Sequence, residues 1–165
     1  MHIRPGRDGD VATVLAMFDS AVTWLSAHGR TGQWGERPFT GDERRTEQVA
    51  SWLAGGGMRI AERDGRPAGC ISVGPAHGYV TPAAEPELYV QALVTDRGHA
   101  GHGVGRALLE WAFGEARERG VGLVRVDCYA GGDGRLVAYY ESCGFTRSAP
   151  FTVGEWPGML LHRHV

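Results

Sequence analysis

Residues 96–110 read DRGHAGHGVGRALLE, with glycine at 98, 101, 103 and 105. Directly before this run, Leu88, Tyr89, Val90, Gln91, Ala92, Leu93 and Val94 have the β-branched and aromatic content of a strand. Directly after it, Val104, Ala107, Leu108, Trp111, Ala112 and Ala116 recur at helical spacing. The segment is therefore strand, glycine loop and helix in immediate succession, the unit from which α/β folds with a parallel crossover are built. Glycines let the backbone bend tightly and leave no side chain in a ligand's way. The helix start points unpaired N–H groups and its positive dipole end into the loop. Such a loop is a receptor for a phosphate or pyrophosphate, or else a glycine turn without a ligand.

Two common phosphate loops are excluded by their residues. A nucleotide P-loop ends in Gly-Lys-Ser/Thr, and all seventeen basic residues of this chain are arginine. A dinucleotide fingerprint requires G-x-G-x-x-G. Counting from Gly101 or Gly103 puts Arg106 or Leu108 at the third glycine.

The rest of the chain supplies the partners of this unit. His2-Ile3-Arg4 reads as a short strand ended by Pro5-Gly6, after which Asp8 or Asp10 caps a helix with the apolar face Val11, Val14, Leu15, Phe18, Val22 and Leu25. A glycine-punctuated loop at 29–42 carries Trp34 and Phe39, and a second helix is expected at about 43–53. Residues 58–62 and 68–73 flank Arg63-Asp64-Gly65-Arg66-Pro67 as a hairpin, and 74–86, with three prolines, reads as a loop. The helix after the glycine loop runs to about Arg119, stopped by Gly120. Residues 123–129 alternate as a strand parallel to the central one, a helix carries Tyr139 and Tyr140, and 145–153 with 159–164 close the sheet as an antiparallel pair. The reading is one α/β domain spanning 1–165, with no repeat or linker to divide it.

Composition bounds the function. At 165 residues such a domain buries roughly 70% of its unfolded surface without staples. A formal charge of −2 argues against nucleic acid or an anionic membrane as partner. Cys70, Cys128 and Cys143 are odd in number and form no C-x-x-C, so a reducing cytoplasm is expected and neither disulfides nor zinc are. His162 and His164 share a strand face without an evident third ligand, so no metal is expected. The N-terminus lacks the apolar run of a signal peptide, and no stretch is long and apolar enough to span a membrane.

Taken with its flanks, the loop resembles the acyl-CoA pyrophosphate loop of the GNAT superfamily of N-acyltransferases. That loop runs Gln or Arg, two residues, Gly, one residue, Gly or Ala, and here Ala100-Gly101-His102-Gly103-Val104-Gly105 fills the six places, with Ala100 departing at the first. Downstream, residues 136–145, LVAYYESCGF, are similar to the family's helix ending in Tyr-Glu, two residues, Gly-Phe, with Asp133 where an Asn is usual. The resemblance implies a mixed, mostly antiparallel sheet of six to seven strands with a parallel central pair splayed at a bulge, flanked by about four helices. It implies acetyl-CoA or a similar short acyl-CoA as acyl donor, without a metal. Leu93, Val94 and Thr95 then bond the pantetheine arm, and Ala100, Gly101, His102, Gly103, Val104, Gly105 and Arg106 hold the pyrophosphate. Asp133 and Tyr140 complete the cofactor contacts.

Acyl transfer to an amine needs an acid for the departing thiolate and an acceptor for the amine proton. Tyr140 stands where the family keeps its acid, whereas Tyr139, one residue away, is expected to face elsewhere. The base is Glu87 on the central strand, Asp127 on its neighbour, or a water relay. Trp34, Glu87 and Tyr89 are expected at the acceptor site, Trp34 being either a pocket wall or a lid packed on the body. Two functions remain open: an N-acetyltransferase acting on a primary amine of a small molecule by direct attack in a ternary complex, or a module of the same fold that senses acyl-CoA without turning it over. A homodimer is left open.

Overall fold

The computed structural model describes all residues, 1–165. In chain order it runs β1 (His2–Pro5), α1 (Asp10–Ala27), α2 (Glu43–Ala54), β2 (Met58–Arg63), β3 (Arg66–Gly74), β4 (Glu87–Thr95), α3 (Val104–Glu118), β5 (Leu123–Tyr129), α4 (Arg135–Ser142), β6 (Thr146–Val153) and β7 (Trp156–His164). The seven strands form one sheet in the order β1-β2-β3-β4-β5-β7-β6. Every pairing is antiparallel except β4 with β5, which α3 connects as a crossover. None of the helices is long and apolar enough to cross a membrane.

Strand alternation sends side chains to two cores. Ile60, Cys70 and Val94 pack with Val14, Phe18, Val49 and Trp52 of α1 and α2. Ala61, Ile71, Val90 and Val126 pack with Leu108, Phe113, Val137 and Tyr140 of α3 and α4 on the opposite face. The β2–β3 hairpin closes through Asp64 (φ +51°) and Gly65 (φ +73°), the two left-handed residues that an Asp-Gly turn supplies.

Three local expectations are corrected. Asp10 does not cap α1: the cap is Gly9, without a side-chain bond, and Asp10 is the first helical residue. Its carboxylate is 4% exposed, accepts both Nη groups of Arg4 at 2.7 and 2.9 Å, and takes the Arg7 N–H at 2.8 Å. Arg4 donates further to Glu62 at 2.5 Å, so this carboxylate fastens β1 and β2 to the helix start. The bond from Arg4, more than any other influence, holds the Asp10 carboxyl below the usual range. Next, β7 begins at Trp156 rather than 159, because a two-residue turn at Gly154 (φ +58°) closes the β6–β7 hairpin with Val153 opposite Trp156. Finally, β6 begins at Thr146, since Phe145 is taken into the α3–α4 core.

The feature that makes a site is the parting of β4 from β5. Ser72 pairs with Ala92, and Val73 with Val90, which leaves Gln91 as the extra residue of a β-bulge. Pairing with β5 stops at Val90–Val126. Beyond it β4 follows β3 as far as Thr95, while β5 follows β7 to Tyr129 opposite Gly158. From Gln91 onward the β5-facing edge of β4 therefore has no strand partner.

Candidate active site

A cleft of about 830 Å³ opens where the strands part. Of the residues expected from sequence, it brings together Trp34, Leu93, Val94, Thr95, Gly105, Asp127 and Tyr140. Glu87, Tyr89 and Asp133 do not line it, nor do Ala100, Gly101, His102, Gly103, Val104 and Arg106, the rest of the expected pyrophosphate loop.

At one end lies the glycine loop. Asp96 accepts the Gly98 N–H at 2.8 Å and turns the chain out of β4. Gly101 (φ +78°) and Gly103 (φ +74°) take left-handed conformations that side chains disfavour, and α3 starts at Val104 with no side chain capping it. Ala100 is half-buried and Gly101, His102 and Gly103 are exposed, whereas Val104 is 2% exposed and anchors the helix. The first-turn N–H groups remain available to an anion. Arg106 reaches the Ser142 carbonyl at 3.3 Å, linking α3 to α4. Arg97 borders the cleft with its guanidinium 3.8 Å over the Trp24 ring. Asp133 is exposed, accepts the Arg135 N–H at 3.1 Å and pairs with that arginine's side chain.

Tyr140 stands in the middle. It is 5% exposed, lines the cleft, and meets Tyr139 and Phe145 edge-on at 5.4 and 5.8 Å. Burial, reinforced by Cys128 and Tyr139, raises its phenol well above the ordinary value, so the hydroxyl stays protonated throughout the neutral range. Tyr139, expected to face elsewhere, borders the cleft as well. Its hydroxyl lies over Gly105, where a Cβ would stand 2.5 Å away, and burial pushes its phenol up to about 12.

Asp127 sits on β5 beyond the point of parting. It accepts the Tyr89 hydroxyl and, at 3.3 Å, the Tyr79 hydroxyl. Burial, and then the Asp127 charge, raises both phenols, which makes them firm donors. Tyr89 is fully buried and reaches the cleft only through this carboxylate, correcting its expected role at the acceptor site. Glu87 is corrected too: Arg125, itself 6% exposed, grips both its oxygens through Nε and, at 3.0 Å, Nη2, and extends Nη1 to the Thr81 carbonyl at 2.8 Å. Glu87 thus closes the paired part of β4 and β5 rather than facing the cleft.

Sequence reading missed several cleft residues. His77 and Tyr79 lie in the 74–86 loop and stack at 5.1 Å. A carbonyl can only accept, so the 3.1 Å contact between His77 Nε2 and the Gln91 oxygen places the imidazole proton on Nε2 and ties the loop to the bulge. Tyr129 and Trp156 come from strand ends, and the Trp156 indole N–H donates to the Gln33 carbonyl at 3.0 Å, joining the β6–β7 tip to the α1–α2 loop. Trp34 fills both roles considered for it, packing edge-on against Phe18 at 5.0 Å while lining the cleft.

Known proteins resemble this chain in sequence and in fold. The profile of the acetyltransferase (GNAT) family matches residues 24–145. The chain is 32% identical over 133 residues to the mycothiol acetyltransferase of Thermomonospora curvata, a match covering 78% of this chain and only 41% of that longer relative. Its fold is that of the ribosomal-protein-alanine N-acetyltransferase of Brucella melitensis, with a TM-score of 0.72 at 23% identity over the whole of both chains. It is also that of a Salmonella typhimurium acetyltransferase solved with its cofactor acetyl-CoA, with a TM-score of 0.69 at 20% identity over 99% of this chain and 93% of that one. With a family profile spanning most of the sequence and a sheet that parts beside a glycine loop, the chain belongs to the acetyltransferase (GNAT) family of acyl-CoA-dependent N-acetyltransferases.

Proposed function

We propose that this protein, as a single domain over 1–165 in a reducing cytoplasm, transfers an acetyl group from acetyl-CoA to a primary amine of a small molecule by direct attack in a ternary complex. The observation that carries the reading is that the unpaired edge of β4, Tyr140, Asp127 and Gly105, in the first turn after the glycine loop, border one cleft. Acetyl-CoA supplies the acyl group as a thioester. The backbone of Leu93 and Val94 pairs with the pantetheine amides as a further strand would, and N–H groups of residues 100–106 hold the pyrophosphate. Asp127 receives the amine proton directly or through water, the nitrogen lone pair forms the new C–N bond, and the C–S electrons leave on sulfur. Tyr140 gives that sulfur its phenolic proton and is reprotonated from the cleft. Buried, unpaired Cys70, Cys128 and Cys143 support the reducing compartment.

A second reading, ligand sensing without turnover, draws on Ala100 and Asp133 in places where the family motifs carry other residues. The two part experimentally. Acetyl-CoA at a hundred times its dissociation constant should stabilise the fold by about 2.7 kcal/mol, and NAD far less. Thiol release with a mixed amine panel then supports the enzyme, whereas stabilisation without release supports the sensor. Equal stabilisation by NAD would overturn both.

A further inference from the structure

Resting on the proposed acetyl transfer, we infer that the acceptor is a monocationic amine whose body is aromatic or comparably apolar, held in a box of aromatic rings with Asp127 at its polar corner. Besides Tyr140, the aromatic residues Trp34, Trp52, Tyr79, Tyr129 and Trp156 line the cleft. Tyr129 and Trp156 meet at 5.7 Å, and Phe151 supports both Trp156 and Tyr79, at 6.3 and 5.5 Å.

The Trp156 N–H is held by the Gln33 carbonyl and the Tyr79 hydroxyl by Asp127, so these two rings offer a ligand their ring surface. Three large hydrophobic side chains remain substantially exposed, Met1, Tyr79 and Val153, and two of them, Tyr79 at 46% and Val153 at 44%, line this cleft. An uncovered apolar surface inside a cleft marks where an apolar ligand group gains by leaving water.

Charge narrows the class further. Asp127 is the only carboxylate lining the cleft, whereas two guanidiniums reach it, Arg97 over Trp24 and Arg45 at 4.2 Å over Phe39. One ammonium group finds its counter-ion at Asp127, which takes the proton that frees the lone pair. The second proton leaves nitrogen after attack to restore the Tyr140 phenol that has protonated the sulfur. A second ammonium, as in a polyamine, would meet no carboxylate and two fixed positive charges.

The test is thiol release by the full chain at saturating acetyl-CoA with 2-phenylethylamine, tryptamine, propylamine, spermidine and an alanine-terminated peptide. The aryl amines should exceed propylamine and spermidine by about ten- to a hundred-fold in kcat/KM, the scale set by filling or leaving empty an apolar pocket. Trp156→Ala should compress the tryptamine-to-propylamine ratio toward one by raising the KM for tryptamine. Should that variant fail to fold, the wild-type panel decides alone. Preference for spermidine or the peptide, with acetyl-CoA still consumed, overturns this inference and leaves the acetyl transfer standing. No release from any amine removes both.

Discussion

A methyl group on Gly105 would lie 2.5 Å from the Tyr139 hydroxyl, so the first turn of α3 is glycine there because a phenol from α4 occupies the space. Glycine to alanine within a helix ordinarily gains about 1 kcal/mol. Gly105→Ala is expected to lose most of that gain, and to recover it when Tyr139→Phe removes the oxygen. A double-mutant cycle by urea denaturation should give a coupling of about 0.5 kcal/mol or more; simple additivity would mean the two residues do not contact in solution.

Tyr140 and Tyr139 both border the cleft, yet only Tyr140 is assigned the proton transfer. Tyr140→Phe keeps the ring packed against Phe145 and should lower turnover by ~10²–10⁴-fold with little change in acetyl-CoA affinity. Tyr139→Phe should be mild. Near-wild-type turnover in Tyr140→Phe at saturating acetyl-CoA would mean the thiolate leaves unassisted or takes its proton from water.

Glu87 illustrates a carboxylate with the right strand and the wrong partner. Because Arg125 is 6% exposed, Glu87→Gln leaves a buried guanidinium without its counter-charge and should destabilise the fold by about 3 kcal/mol. Turnover per folded molecule should stay within about three-fold of wild type. The opposite pattern, full stability with turnover down a hundred-fold, would restore Glu87 as the proton acceptor.

Stability should fall in alkali. Burial pushes the Cys70 and Cys128 thiols and the Tyr139 phenol up to about 12, and also raises Tyr140 well above its ordinary value. In the unfolded chain thiols titrate near ~8.5 and phenols near ~10. Between those values and the folded ones the unfolded chain releases protons that the folded chain keeps, so their contribution is complete below pH ~8.5 and is lost as pH rises toward 12. At pH 10 each buried thiol accounts for about 2 kcal/mol. Melting temperatures from pH 8 to 11 should decline steadily; a flat profile would show that these groups ionise within the fold.

Much of this molecule was legible before its structure. The strand at 87–95, the loop glycines and the amphipathic α3 are local signals, since glycine frequency, β-branching and helical period are properties of neighbours along the chain. The β2–β3 turn was legible for the same reason: Asp64-Gly65 carries its own conformational preference. Where the family motif gave position as well as residue type, as at Tyr140, Leu93 and Val94, the structure brings those residues to the cleft.

What the tertiary structure alone decided is which side chains meet. Glu87 and Asp127 look equivalent in sequence, two carboxylates on adjoining strands. Arg125 occupies one, and two tyrosine hydroxyls turn the other toward the cleft. His77 and Tyr79 gave no signal because a proline-rich loop has no period from which to read a facing. Likewise Trp156 and Trp34 are over a hundred residues apart and become walls of one box only when the Trp156 N–H finds Gln33. Sequence determines local conformation through neighbours a few residues apart. The hydroxyl on Asp127 and the tie from Trp156 to Gln33 are contacts across 38 and 123 residues, which only the assembled fold creates.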